Sequence, residues 1–122
     1  MSEIGIESTL VEAIKNGDKT IEARLGKPRY LLIQEDDIMS VREDFLYEGE
    51  VLESLSHAIE IKITQVLYFE TFKELFDAVD FQAVLPSAKT VDEAVKTYKT
   101  LYPSEEESEF GVVAFAFELV EK

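Results

Sequence analysis

Three stretches of the chain place apolar residues at helical spacing behind the same opening signal. Thr9-Leu10-Val11-Glu12, Thr71-Phe72-Lys73-Glu74 and Thr90-Val91-Asp92-Glu93 all have the T-x-x-E form of a capping box. In it the threonine hydroxyl and the glutamate each satisfy an orphan backbone N–H. Behind the boxes run Leu10, Ala13 and Ile14; Phe72, Leu75, Phe76 and Val79; and Val91, Ala94, Val95, Tyr98 and Leu101. That recurrence puts one apolar stripe on each helix. Gly17 suits the left-handed residue that closes the first helix, and Pro103 stops the third. The pattern predicts three short amphipathic helices.

Elsewhere the period is two. Thr20 to Leu25 sets Ile21, Ala23 and Leu25 on one face and Thr20, Glu22 and Arg24 on the other. Ile59 to Val66 sets Ile59, Ile61 and Ile63 against Glu60, Lys62 and Thr64. Gly111 to Val120 is apolar on both faces for much of its length, which predicts a central or barrel-closing strand covered on both sides. Asp37 to Arg42 is a weaker strand, and Tyr47-Glu48-Gly49-Glu50 reads as a turn into another around Val51 to Leu55. Strands are grouped rather than alternating with helices, so the expected class is α+β with a mixed, largely antiparallel sheet. No repeat or linker is visible, and residues 1–122 read as one domain. Ser104 to Glu109 reads as a solvated acidic loop.

Composition narrows the function. The chain has no cysteine and one histidine, which excludes disulfides, a cysteine nucleophile and a multi-histidine zinc site. No metal and no cofactor are expected. No apolar run is long enough for a membrane span, and the acidic Met1-Ser2-Glu3 start is unlike a signal peptide, so a cytoplasmic protein is expected. A net charge of −14 repels duplex DNA and anionic membranes at long range. The charge is uneven: Lys15, Lys19, Arg24, Lys27 and Arg29 share 15 residues with only Asp18 and Glu22. A cationic island in an acidic body suits a compact anionic ligand or a short single strand.

The densest chemistry lies in Gly17-Asp18-Lys19-Thr20-Ile21-Glu22-Ala23-Arg24, a G-x-K-x-x-E-x-R pattern between a helix and a strand. Glu22 and Arg24 project from one strand face, with Lys19 at its entrance. An ammonium, a carboxylate and a guanidinium brought together can grip a phosphate or a base edge. The same residues also suit a plain surface ion pair.

This pattern, placed after the first helix, resembles the signature of the ASCH domains, relatives of the PUA RNA-binding domains. Tyr68, Phe72, Glu74 and Leu75 resemble the family's aromatic strand-to-helix passage. Tyr98, Tyr102-Pro103 and Phe110-Gly111-Val112-Val113-Ala114 resemble its helix and closing strand. The resemblance implies a PUA-like, largely antiparallel β-barrel flanked by about three short helices, with a cleft lined by Lys19, Glu22 and Arg24 and rimmed by Gly17. It implies binding of short single-stranded RNA or of a nucleoside or nucleotide. Some members of the family are hydrolases of N-acylated cytidine nucleosides or ribonucleases, and in such an enzyme Lys19 and Glu22 would be catalytic. Glu22, however, stands where the nucleoside hydrolases have a threonine. Glu35-Asp36-Asp37 stands where the family usually has Gly-Asp, which asks Asp36 for a left-handed backbone.

Outside the motif, Tyr30 lies next to Lys27 and Arg29, so it can stack a base while those cations hold phosphate, with Pro28 fixing the loop. His57 reads as an exposed turn residue. Asp36, Asp37, Glu43 and Asp44 lack calcium-loop spacing and read as a solvated acidic face. A remaining alternative is a protein-interaction module acting through the acidic surface. Oligomeric state is not legible in the sequence.

Overall fold

The segment that is apolar on both faces becomes β5 (Val112–Leu119), the strand that joins two cores. The structure is a computed structural model that describes residues 2–120; Met1 of the opening stretch and the last two residues lie outside it. The preceding elements are β1 (Glu3–Glu7), α1 (Ser8–Lys15), β2 (Ile21–Leu25), α2 (Pro28–Leu31), β3 (Ile38–Tyr47) and β4 (Glu50–Phe69). They are followed by α3 (Phe72–Ala78), α4 (Phe81–Val84), α5 (Val91–Leu101) and α6 (Ser104–Phe110). The strands form one sheet in the order β1-β3-β4-β5-β2. Only β1 and β3 run parallel; the other neighbours are antiparallel. The sheet curls into a half-barrel, an α+β architecture consistent with the PUA-like fold.

Inside the curl, Val113, Phe115 and Phe117 pack with Ile4, Ile6, Met39, Val41, Ile61 and Ile63, and α1 closes this core with Val11 and Ile14. On the other face, Val112 and Ala114 join Ala23 and Leu25 beneath Phe72, Leu75, Phe76, Val84 and Tyr98 from α3, α4 and α5. The alternation along β5 thus sorts its side chains between two hydrophobic layers, while β1 and β3 feed only the first and β2 only the second.

The threonine half of two of the three capping boxes forms, and the Glu74 carboxylate accepts from the Glu70 N–H rather than from Thr71. Thr71 accepts from the Glu74 N–H and Thr90 from the Glu93 N–H, both at 3.1 Å. Thr9 does not cap: β1 runs straight into α1 with Glu7 at the cap position, and the Thr9 hydroxyl donates to the Glu7 carboxylate instead. Gly17 ends α1 with φ 88°, in a Schellman turn where the Asp18 and Gly17 N–H groups bond to the Ala13 and Ile14 carbonyls.

Among the described residues there are six helices rather than three. The acidic Ser104 to Glu109 stretch is α6, not a loop: Pro103 starts it, and Glu105, Glu106 and Glu107 sit in the first turn, where carboxylates oppose the helix dipole favourably. β1 was hidden by its shortness and by Gly5, where a Cβ would run into the Arg42 guanidinium. The Glu48-Gly49 turn is as expected, with both residues at positive φ, the type I′ geometry of a two-residue hairpin. Asp36 takes the left-handed backbone, φ 71°. His57 is exposed as expected, but it sits within β4, at positive φ, with Nδ1 hydrogen-bonded to the Ser40 hydroxyl at 2.7 Å.

Thr90→Ala is expected to lower stability by about 1 kcal/mol, and Thr9→Ala by less than about 0.5 kcal/mol, because only the first removes a cap. Urea denaturation of the two variants checks this; equal losses would refute the assignment of Thr9.

Candidate functional site

The motif enters the sheet through the turn after α1. The Lys19 N–H bonds to the Ala13 carbonyl, and the Thr20 N–H to Ala83, just before Val84. Those two bonds aim the Lys19 side chain inward, where it is 1% exposed. Its Nζ donates to the Ile21 carbonyl at 2.7 Å and to the Val84 carbonyl at 2.5 Å, with Glu22 Oε1 at 3.6 Å. An ammonium has three donors, and three acceptors surround this one. Lys19 is therefore a pinned charge rather than a mobile one.

Glu22 is buried between two cations. Its Oε1 also accepts from the Ala23 N–H at 2.9 Å, and its Oε2 lies 3.4 Å from Arg24 Nη2. Arg24 reaches outward: Nη2 donates to the Gly5 carbonyl at 2.8 Å and Nη1 to the Tyr30 hydroxyl at 3.3 Å. β1 and β2 are the two ends of the sheet. Arg24 therefore spans the open seam of the half-barrel with a charge-assisted hydrogen bond.

Burial sets the electrostatics, and the partners modify it. Burial pushes the Lys19 ammonium below its usual range, and Glu22 only partly offsets this. Burial would raise the Glu22 carboxyl, but Lys19 and Arg24 outweigh it and hold the group below its ordinary value. Arg24 is stabilised as a cation: burial opposes its charge, and Glu22 together with Tyr102 and Tyr30 outweighs it. Tyr98 and Tyr102 are both raised, chiefly by burial, with Glu22 contributing. Tyr102 stacks on Phe72 at a ring-centroid distance of 5.1 Å, and Tyr98 packs tilted against it at 4.9 Å. Helical spacing marked Tyr98 as core; that these phenols sit within the field of Glu22 and Arg24 depends on tertiary packing.

The surface opening lies beside this charge chain. A groove of about 530 Å³ is lined by Leu32, Ile33, Ile38 and Met39, by Arg29 and Tyr30, and by Ser2, Glu3 and Asp37. Lys19, Glu22 and Arg24 do not line it; they meet it only through Tyr30. The Tyr30 ring has the Arg29 guanidinium carbon 4.8 Å from its centroid and that of Arg24 at 5.7 Å. Lys27 is held at the far side of the loop, 3.8 Å from Glu106 and 5.5 Å from the Phe110 ring centroid. Lys15 pairs with Glu12. The basic island of the sequence is thus largely neutralised. Among the described residues, Arg29 is its one cation outside any ion pair. Gly17 is exposed at the turn below, with open space where a Cβ would stand. No group of three or more His, Asp or Glu among the described residues is placed to hold a metal, and none of their helices is long and apolar enough to cross a membrane.

A curled five-stranded sheet with a Lys-Glu-Arg chain on its edge strand defines a class of domain. The ASCH domain model matches residues 4–121, and the chain belongs to that family. Among solved structures, the chain is similar to hypothetical protein PH0355, at 30% identity over 97% of both chains with a TM-score of 0.82. Protein PF0455 from Pyrococcus furiosus aligns at 26% identity over 99% of this chain and 98% of its own, with a TM-score of 0.75. EF3133 from Enterococcus faecalis shares the fold at 16% identity, covering 93% of this chain and 68% of its own, with a TM-score of 0.62. No curated protein matches the chain.

Removing the carboxylate should be costly. Glu22→Gln is expected to destabilise the fold by about 3–5 kcal/mol at neutral pH, because it leaves the Lys19 and Arg24 charges without their shared counter-ion. A Lys19→Met/Glu22→Gln double variant should lose less than the sum of the singles. Because the folded Glu22 carboxyl lies below 4.5, its contribution is present above that pH and is lost as pH falls through the folded value. Lys19, lowered from 10.5, adds stability as pH rises from its folded value toward 10.5. Urea denaturation across pH should therefore show a steeper acid loss in the wild type than in Glu22→Gln; parallel curves would contradict this.

Proposed function

We propose that the chain binds short single-stranded RNA or a nucleotide in the groove walled by Tyr30, with the buried charge chain as its scaffold. ASCH domains are commonly RNA-binding. The observation that carries the reading is the Tyr30–Arg29 pair at 4.8 Å on the wall of an open groove. Arg29 is exposed, so its guanidinium can swing from the ring to a phosphate while a base takes its place. Leu32, Ile38 and Met39 offer apolar contact to the base or sugar.

In this arrangement Arg29 and Tyr30 touch the ligand. Arg24 is a positioning residue that holds the Tyr30 hydroxyl, and Glu22 and Lys19 hold Arg24 in turn. Lys27, paired with Glu106, anchors the loop that carries Arg29, and Gly17 shapes the turn that delivers Lys19. A net charge of −14 favours a short strand over a duplex.

A second reading, hydrolysis of an N-acylated cytidine nucleoside or of RNA, draws on the lowered Lys19 beside Glu22. It requires Nζ to leave the Val84 carbonyl before it can reach a substrate. Product formed by the wild type and absent with Lys19→Gln, in a variant that remains folded, would establish it.

Amide NMR titration with cytidine monophosphate and with a short single-stranded RNA tests the binding reading. Shifts are expected across Arg24 to Met39, and Tyr30→Ala or Arg29→Glu should weaken binding roughly tenfold, the scale of one lost stacking contact. Unchanged affinity in both variants would reject the groove as the site.

A further inference from the structure

The β3–β4 hairpin outruns the sheet that carries it. β1 accompanies β3 only as far as Asp44, and β5 is in register with β4 only from Ile61. Between those points, residues 45–57 form a two-stranded arm whose outer edges have no partner strand among the described residues. The tight Glu48-Gly49 turn closes its tip, and the Ser40–His57 hydrogen bond ties down its base.

The arm is apolar where it has nothing to pack on. Phe45, Leu46, Tyr47, Val51, Leu52 and Leu55 are six of the eleven exposed large hydrophobic residues, with Leu52 at 73% and Tyr47 at 66%. The register places Phe45, Tyr47 and Leu55 on one face beside Glu50 and Glu53, and Leu46 and Val51 on the other. A two-stranded ribbon has no core of its own, and exposed apolar side chains gathered on such an arm mark an interaction site.

Charge selects the occupant. The arm holds Glu48, Glu50 and Glu53 and no lysine or arginine. The nearest cations along the chain are already engaged: Arg42 with Asp44 and Glu3, and Lys62 with Asp36. A second copy of the chain would bring like charges to a new strand pair, which edge carboxylates disfavour. Nucleic acid is repelled by the same groups. A cationic strand is attracted by them. We infer that the arm is a docking edge for an extended basic segment of another protein, alternating cationic and aliphatic residues, which adds as a strand beside β4 over Glu50 to His57.

The test uses the full chain and a synthetic peptide of about ten residues alternating lysine and isoleucine, long enough to cover one strand. Residues 50–57 are expected to show amide shifts and slowed hydrogen exchange. Replacing the peptide lysines with glutamate, or introducing Glu50→Lys/Glu53→Lys in the protein, should weaken binding roughly tenfold through the lost cross-strand charge pairs. N-methylation of alternate peptide amides should abolish it. The inference is overturned if the lysine peptide does not bind, if the glutamate or N-methylated peptide binds equally well, or if the shifts fall outside the arm. It is also overturned if a short RNA shifts residues 50–57. Concentration-dependent dimerisation removed by Leu52→Lys would assign the edge to a second copy instead. The wild-type peptide series decides the matter even if the charge-reversed variant fails to fold.

Discussion

The Arg24 guanidinium holds together two parts of the chain that no backbone ladder joins. Its Nη2 reaches from β2 to the Gly5 carbonyl of β1 at 2.8 Å, across the gap between the two ends of the sheet. The geometry of the barrel mouth therefore depends on the charge state and packing of one side chain. Arg24 is kept in place by Glu22 at 3.4 Å, and Glu22 in turn is balanced by Lys19. Removing Glu22 leaves both buried cations without their counter-charge, whereas removing either cation leaves Glu22 with the other, so the three are coupled through the carboxylate.

This dependence explains why the conspicuous residues of the motif are not the ones on the surface. The buried ion chain fixes geometry; in the proposed site the half-buried Tyr30 ring and the exposed Arg29 guanidinium would meet the ligand. Tyr30 is where the two meet, since its hydroxyl accepts from Arg24 and its ring bounds the groove. The proposed site would thus have a rigid interior and an exposed rim, a division that keeps a binding surface positioned.

Much of the fold was legible because its signals are local. The two-faced apolarity of Val112 to Leu119 announced a strand between two layers, and the Thr71 and Thr90 boxes announced helices whose caps form. Thr9 carried the same motif and misled, because β1 abuts α1 and leaves no room for a separate cap residue. The acidic run in α6 looked like a loop because no apolar stripe marks it. Its order comes from contacts elsewhere, including the Glu107 carboxylate that accepts the Phe72 N–H at 3.0 Å. The motif residues were legible by type, spacing and shared strand face. Their burial was not, because the acceptor that fixes Lys19 is Val84, a residue far along the chain whose carbonyl carries no sequence signal.

The position of β5 between β4 and β2 has a consequence for how the molecule is made. β2 precedes β5 in the chain by more than eighty residues, yet β5 is its ladder partner among the described residues. Until β5 has been made, β2 is without that partner. The β3–β4 hairpin, whose pairing is local, can form without waiting. The seam that Arg24 spans therefore closes only once β5 has brought β2 into the sheet, although the acceptors around Lys19 all precede β5 in the chain.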